Sequence, residues 1–248
     1  MATPCSTAAF DPRVAALALV AGGYNNPADM RTGMGVAGYR GQLAALAAVA
    51  EQSFRTGETD YLPAVSSDGG EAVMGGAEPW EYYGTERSAS PGWVNRVTRL
   101  SIRELITLDT SSSADFISPT PTLMVHGRTD AYCSPEGAQA VYDRIGHPKD
   151  LLWLPTTNHI DLYDNPEFLT PALDRITKWL TPTSPCHRTI VGGCRSPRCR
   201  AAKTPSRRQP QRLRRAAVRR VLEARLAAGG PVGVVAVPGS ACRRRRRR

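Results

Sequence analysis

The 248 residues are 41% hydrophobic, enough apolar material for one good core, and the length allows one or two domains. The formal net charge of +10 is very unevenly spread: residues 183–248 hold 19 Lys and Arg against one acid, Glu223, a net +18, whereas residues 1–182 hold 13 bases against 21 acids, a net −8. An acidic body gives no reason to expect nucleic acid on the folded part.

The six cysteines, four of them in the tail, form no CxxC pair, so neither a zinc motif nor a disulfide framework is expected and a reduced cytoplasmic setting is the default. The N-terminal MATPCSTAAFDPR lacks the basic start and apolar run of a signal peptide, and no stretch of about 18 apolar residues occurs, so the chain reads as cytoplasmic with no membrane contact.

In chain order, residues 2–10 read as the end of a helix. Val14-Ala15-Ala16-Leu17-Ala18-Leu19-Val20 is a continuous apolar run ending at Gly22-Gly23, the pattern of a strand covered on both faces in a parallel sheet. Such a strand needs neighbours on both sides, so its outer edge is expected to be exposed and prone to aggregation. Residues 26–57 are helical, with Asn26-Pro27 as cap and first-turn pair and Leu43, Leu46, Ala47, Val49 and Ala50 on one face. Residues 61–90 read as a long loop with Trp80, Tyr82 and Tyr83, aromatic residues that suit either a pocket wall or ordinary packing. Residues 91–108 read as helical, with Trp93, Val97, Leu100, Ile102, Leu105 and Ile106 buried. About a hundred residues thus separate the first strand from the next, far more than a crossover needs. A helical insertion over one end of the sheet accounts for the excess.

The stretch 121–161, PTLMVHGRTDAYCSPEGAQAVYDRIGHPKDLLWLPTTNHID, is the informative one. Leu123-Met124-Val125, with Thr122 and His126, predicts a buried strand. Ser134-Pro135-Glu136 supplies hydroxyl cap, first-position proline and first-turn acid for a helix over 135–145. Leu151-Leu152-Trp153-Leu154 predicts the next strand, and a last helix is expected to start at Thr170-Pro171, with Leu173, Ile176, Trp179 and Leu180 as its apolar stripe. Strand, helix, strand, helix in that order predicts a parallel sheet in an α/β fold.

After residue 182 the composition changes abruptly. Residues 183–248 contain no Phe, Tyr, Trp or Asp and end in six arginines, so they are expected to be disordered. Three readings stand for this tail: phosphate contacts to nucleic acid, a solvated extension without a partner, or an unselected extension of frameshift type, since Arg, Ala, Pro and Gly all have GC-rich codons. The last is preferred.

A right-handed crossover runs both strands of the 121–161 unit the same way, so their exit loops share one sheet edge. That brings Asp130 and His159 together at the edge where open α/β sheets bind ligands. A carboxylate beside an imidazole fixes its tautomer and stabilises its protonated form, freeing the other ring nitrogen to take a proton from a nucleophile. His126 reads as a packing histidine and His147 as exposed. A metal site drawn from His126, Asp130, Cys133, His159 and Asp161 lacks a compact ligand motif; no metal and no cofactor are expected.

The order Asp then His after the last two strands, with HGRTDAYCSPEGA and TTNHIDLYD as its most specific segments, resembles the C-terminal half of an α/β-hydrolase, near the dienelactone-hydrolase-like branch. The resemblance covers about residues 8–180. It implies Asp130 as the triad acid, His159 as the base, a small-molecule ester-like substrate, a partial hydrolase core at 1–23 and 121–182, and a helical cap at 24–120. Members of that superfamily carry the nucleophile on a G-x-S-x-G-type turn. This sequence has none, and Cys5 and Ser6 lie in TPCST without flanking glycines. The expectation is therefore an N-terminally truncated hydrolase, inactive alone, with a nucleic-acid-associated protein acting through the tail as the alternative.

Overall fold

The computed structural model describes residues 4–181 and the strand 234–238. Its main sheet has four strands: β1 (Val14–Val20), β4 (Thr122–Gly127), β5 (Lys149–Leu154) and β6 (Val234–Pro238), in the order β5-β4-β1-β6. β1, β4 and β5 are parallel, and the register aligns Thr122 with Lys149 and Gly127 with Leu154. β4 and β5 therefore end level, and their exit loops leave the same edge.

The continuous apolar run of β1 is explained by what lies on each face. Ala16, Ala18 and Val20 pack with Leu123, Val125, Leu162, Phe168, Leu173 and Ile176 on one side. Leu17 and Leu19 pack with Cys5, Ala8, Met124, Ala138, Val141 and Ile145 on the other. Helix α7 (Pro166–Leu180) covers the first face, and α1 (Pro4–Phe10) with α5 (Pro135–Arg144) covers the second. A strand covered on both sides carries apolar residues at successive positions rather than at alternate ones.

Helix α5 starts where its signals place it: Ser134 Oγ accepts the Gly137 amide at 3.1 Å and Pro135 occupies the first turn. α7 begins earlier than the Thr170-Pro171 pair suggests. Asn165 caps it by accepting the Glu167 amide, Pro171 lies inside it, and Phe168 joins the buried stripe. Burial of Phe168 extends the apolar face by a turn and outweighs the amide donor that Pro171 removes.

Between β1 and β4 lie α2 (Pro27–Thr56), β2 (Tyr61–Leu62), α3 (Ala77–Tyr83), β3 (Val97–Thr98) and α4 (Ser101–Thr107), with 3-10 turns at Glu86–Ser88 and Ser112–Phe116. Asn26 caps α2 and Gly57 ends it, but Gly35 interrupts it at φ 71°, ψ 156°, a left-handed position that suits glycine. Of the five residues expected on its inner face, Leu46 is buried and Ala47 is exposed. The stretch expected to be loop contains β2 and α3. The expected 91–108 helix is instead β3 plus the short α4, leaving Trp93 at 40% and Leu105 at 42% exposure. Pairing of Tyr61 with Thr98 and Leu62 with Val97 captures residues that a local helical pattern cannot distinguish.

The outer edge of β1 is not open. β6 pairs with it antiparallel, from Val14 opposite Pro238 to Leu19 opposite Val234, which corrects the exposed edge expected there. VVAVP is a short apolar, valine-rich run with strand character. The rest of the expected disordered tail, and its nucleic-acid reading, lie outside the described residues.

Candidate active site

Two loops build the site. After β4, Asp130 turns the chain by accepting the amides of Tyr132 at 2.9 Å and Cys133 at 2.7 Å on Oδ1, an Asx turn that aims Oδ2 away from the backbone. After β5, Asp161 Oδ2 accepts the Thr157 amide and hydroxyl and the Asn158 amide, while Asn158 Oδ1 accepts the Asp161 amide at 2.9 Å. This reciprocal cap opens α6 (Asp161–Asp164) and holds His159 inside its turn.

The loops are tied to each other. Thr156 Oγ1 donates to Thr129 O at 2.9 Å, and the Arg128 amide donates to Leu154 O at 2.8 Å. Gly127 permits this approach: a Cβ there would stand 2.1 Å from Thr156 Oγ1.

Asp130 and His159 meet as expected. His159 Nδ1 donates to Asp130 Oδ2 at 2.7 Å, with the Asp130 side chain 1% and the His159 side chain 11% exposed. Burial pushes the Asp130 carboxyl up, but the His159 bond, the Cys133 and Tyr132 amides and the imidazole charge together hold it below its ordinary value. Burial pulls His159 down, yet the Asp130 bond and the Cys133 sulfur outweigh it and push the imidazole up to about 10. His159 Nε2 lies 2.7 Å from the Tyr163 hydroxyl. Burial first, then the bond from Tyr83, raises the Tyr163 phenol, keeping it neutral.

The segment between β1 and β4 reaches this place through α3. The Ile160 amide donates to Glu78 Oε1 at 2.9 Å, and Tyr132 Oη donates to Gly75 O at 3.1 Å. Tyr82 packs edge-on against Tyr163 at 4.8 Å, and Tyr83 stacks on Trp93 at 5.5 Å. Tyr82 is buried in this cluster, so it serves as packing; Trp80 fills the space beside Gly84.

Other sequence candidates lie elsewhere. His126 is fully buried, its Nδ1 3.0 Å from Gly127 O and its ring edge-on to Trp153, a packing role. His147 is exposed. Cys5 is 3% exposed in the core, and burial raises its thiol to about 11, which disqualifies it as a nucleophile. Of the five potential ligands, Asp130, Cys133 and His159 come together with ligand atoms within 4.8 Å, whereas Asp161 is committed to its cap. Tyr163 and Glu78 were not legible beforehand. The spacing of Tyr163 four residues after His159 was a usable signal, since one helical turn stacks such a pair; Glu78 had none.

No family model matches the chain, and no curated protein matches it significantly. Solved structures do. The hypothetical protein PA2218 from Pseudomonas aeruginosa is 26% identical with a TM-score of 0.57, over 69% of this chain and 54% of that one. DcsB, solved in complex with its substrate analogue, is 21% identical with a TM-score of 0.59, over 73% and 60%. The alpha/beta hydrolase GrgF from Penicillium sp. sh18 is 24% identical with a TM-score of 0.50, over 71% and 59%. The chain thus has an α/β fold matching that of α/β-hydrolases, and it spans between half and two thirds of the length of these structures. Among the described residues no helix is long and apolar enough to cross a membrane.

Proposed function

We propose that Asp130 and His159 are the acid and base of a nucleophile–His–Asp arrangement that hydrolyses an ester-like acyl bond in a small molecule. The observation that carries this reading is the buried 2.7 Å pair at the edge where parallel strands β4 and β5 end together. Asp130 holds the Nδ1–H tautomer, and Nε2 takes the nucleophile's proton once the imidazole is neutral; with the imidazole raised to about 10, activity should climb as pH rises toward that value. Tyr163 occupies that nitrogen here, so the nucleophile approaches by displacing the phenol. The segments HGRTDAYCSPEGA and TTNHIDLYD favour the dienelactone-hydrolase-like branch, and residues 24–120 fit the role of a cap by their contacts to the His159 loop.

The nucleophile is not among the residues assigned: the sequence has no G-x-S-x-G turn. The proposal therefore covers the acid and the base, and Asp130→Asn should lower kcat on p-nitrophenyl esters by about 10⁴-fold in any form of the protein that hydrolyses them. The 248-residue chain alone should resist a fluorophosphonate, and stoichiometric His159-dependent labelling would show that it carries its own nucleophile.

A further inference from the structure

Asp130, Cys133 and His159 each offer one metal-ligating atom, and these atoms lie within 4.8 Å of one another. We propose that the three side chains form a zinc(II) site in which the metal replaces the proton between His159 Nδ1 and Asp130 Oδ2. The donor set selects the metal. A thiolate with an imidazole and a carboxylate suits zinc, and the sulfur argues against magnesium and calcium, which take oxygen ligands.

The adjustment required is small. Zinc bonds of about 2.0–2.3 Å at tetrahedral angles set the donor atoms roughly 3.3–3.6 Å apart. The Nδ1 to Oδ2 gap therefore opens from 2.7 Å by about 0.6–0.9 Å, and the sulfur closes from at most 4.8 Å by up to about 1.2–1.5 Å. Short side chains on two loops accommodate such moves by rotation about χ1 and χ2.

The surroundings already do what outer groups at a zinc site do. The Tyr132 and Cys133 amides fix Asp130 Oδ1, which leaves Oδ2 as the donor. With the metal on Nδ1, the His159 Nε2–H donates to the Tyr163 hydroxyl, already 2.7 Å away, and such a bond from the outward nitrogen orients a ligating imidazole. Cys133 is a free thiol and half-buried, and three protein donors leave a fourth tetrahedral position for water.

Zinc and the acid–base pairing exclude each other, because both use His159 Nδ1 and Asp130 Oδ2. Binding displaces protons from the thiol and the imidazole, so zinc tightens as pH rises.

Titration of the full 248-residue chain with cobalt(II), a spectroscopic stand-in for zinc, tests the site. The other five cysteines can also take metal, so the comparison with variants is what counts. Cys133→Ser and His159→Gln should each bind one equivalent fewer than wild type, and Cys133→Ser should lose part of the thiolate-to-cobalt charge-transfer band. Cys133→His, which keeps a donor, should retain that equivalent and lose the same part of the band. Tyr163→Phe should retain the equivalent with affinity weakened roughly 10- to 100-fold. Equal stoichiometry and equal bands in wild type and Cys133→Ser overturn the site, as does a Cys133→His variant with an undiminished band. A pH titration of His159 in the EDTA-treated chain reports the acid–base pair separately, so loss of the zinc reading leaves that pair standing.

Discussion

The unit formed by β4, α5 and β5 and the segment between β1 and β4 are held together on different terms. In the first, every residue of β4 is buried, strands are joined by short loops, and the register of one against the other fixes both exit loops. In the second, the longest element is a 30-residue helix with one buried side chain, Leu46, and the strands are two residues long. That segment meets the two exit loops through separate polar ties, Ile160 N to Glu78, Tyr132 Oη to Gly75, and Arg87 to Asp164, and through one small aromatic cluster in which Tyr82 packs on Tyr163. Continuous core burial makes the first unit intolerant of change, whereas the second rests on scattered buried side chains such as Leu46, Leu62, Val65 and Tyr82 and on a few replaceable bonds.

The largest contrast should appear in packing. Met124→Ala, at a fully buried position of β4, should cost about 3 kcal/mol in urea denaturation, the usual range for a core methionine. Leu105→Ala, at a 42% exposed position, should stay within about 0.5 kcal/mol. Similar costs at the two sites would erase the distinction between the regions.

Next comes the close approach of the two exit loops. Gly127→Ala puts a Cβ against Thr156, forces the Thr156 bond to Thr129 apart and should destabilise by about 1–3 kcal/mol. Adding Thr156→Ala should recover part of that loss, because the two residues share one space. Strict additivity would show that the clash is not the cause.

The pH dependence tests the pair itself. The imidazole is raised from 6.5 to about 10 in the folded chain, so the stability it contributes is complete below pH 6.5 and is lost as pH rises to 10. Asp130 is lowered, so its contribution is present above the ordinary carboxyl value of 3.8 and disappears as pH falls below it. Wild type should therefore lose stability relative to His159→Gln between pH 6.5 and 10. Parallel stability curves for the two proteins over that window would refute the Asp130–His159 coupling.

The smallest effect concerns the polar ties. Glu78→Gln weakens the acceptor of the Ile160 amide and should cost about 1 kcal/mol. Its clearer signature is faster amide exchange at Ile160 than at β4 residues. Unchanged exchange there would mean that α3 does not hold the His159 loop.

The sequence by itself determined the parallel unit and the partnership of Asp130 with His159. Their signals are local: a continuous apolar run for a strand covered on both faces, Ser134-Pro135-Glu136 for a helix start, and a crossover of fixed hand that brings consecutive exit loops to one edge. The start of α7 is written just as locally, in Asn165-Pro166-Glu167, a cap, proline and acid that the later Thr170-Pro171 pair obscured. Tertiary structure alone decided the rest. β3 formed in a stretch of helical pattern because Tyr61 and Leu62 offered a partner. β6 closed the edge of β1 across more than 200 residues of sequence, a pairing no local pattern encodes. Convergence of the two loops brought Cys133, three residues from Asp130, up to His159, whereas Tyr163 reaches that histidine by its local spacing of four residues, so the site holds a thiol and a phenol as well as the acid and base that the order of residues had announced.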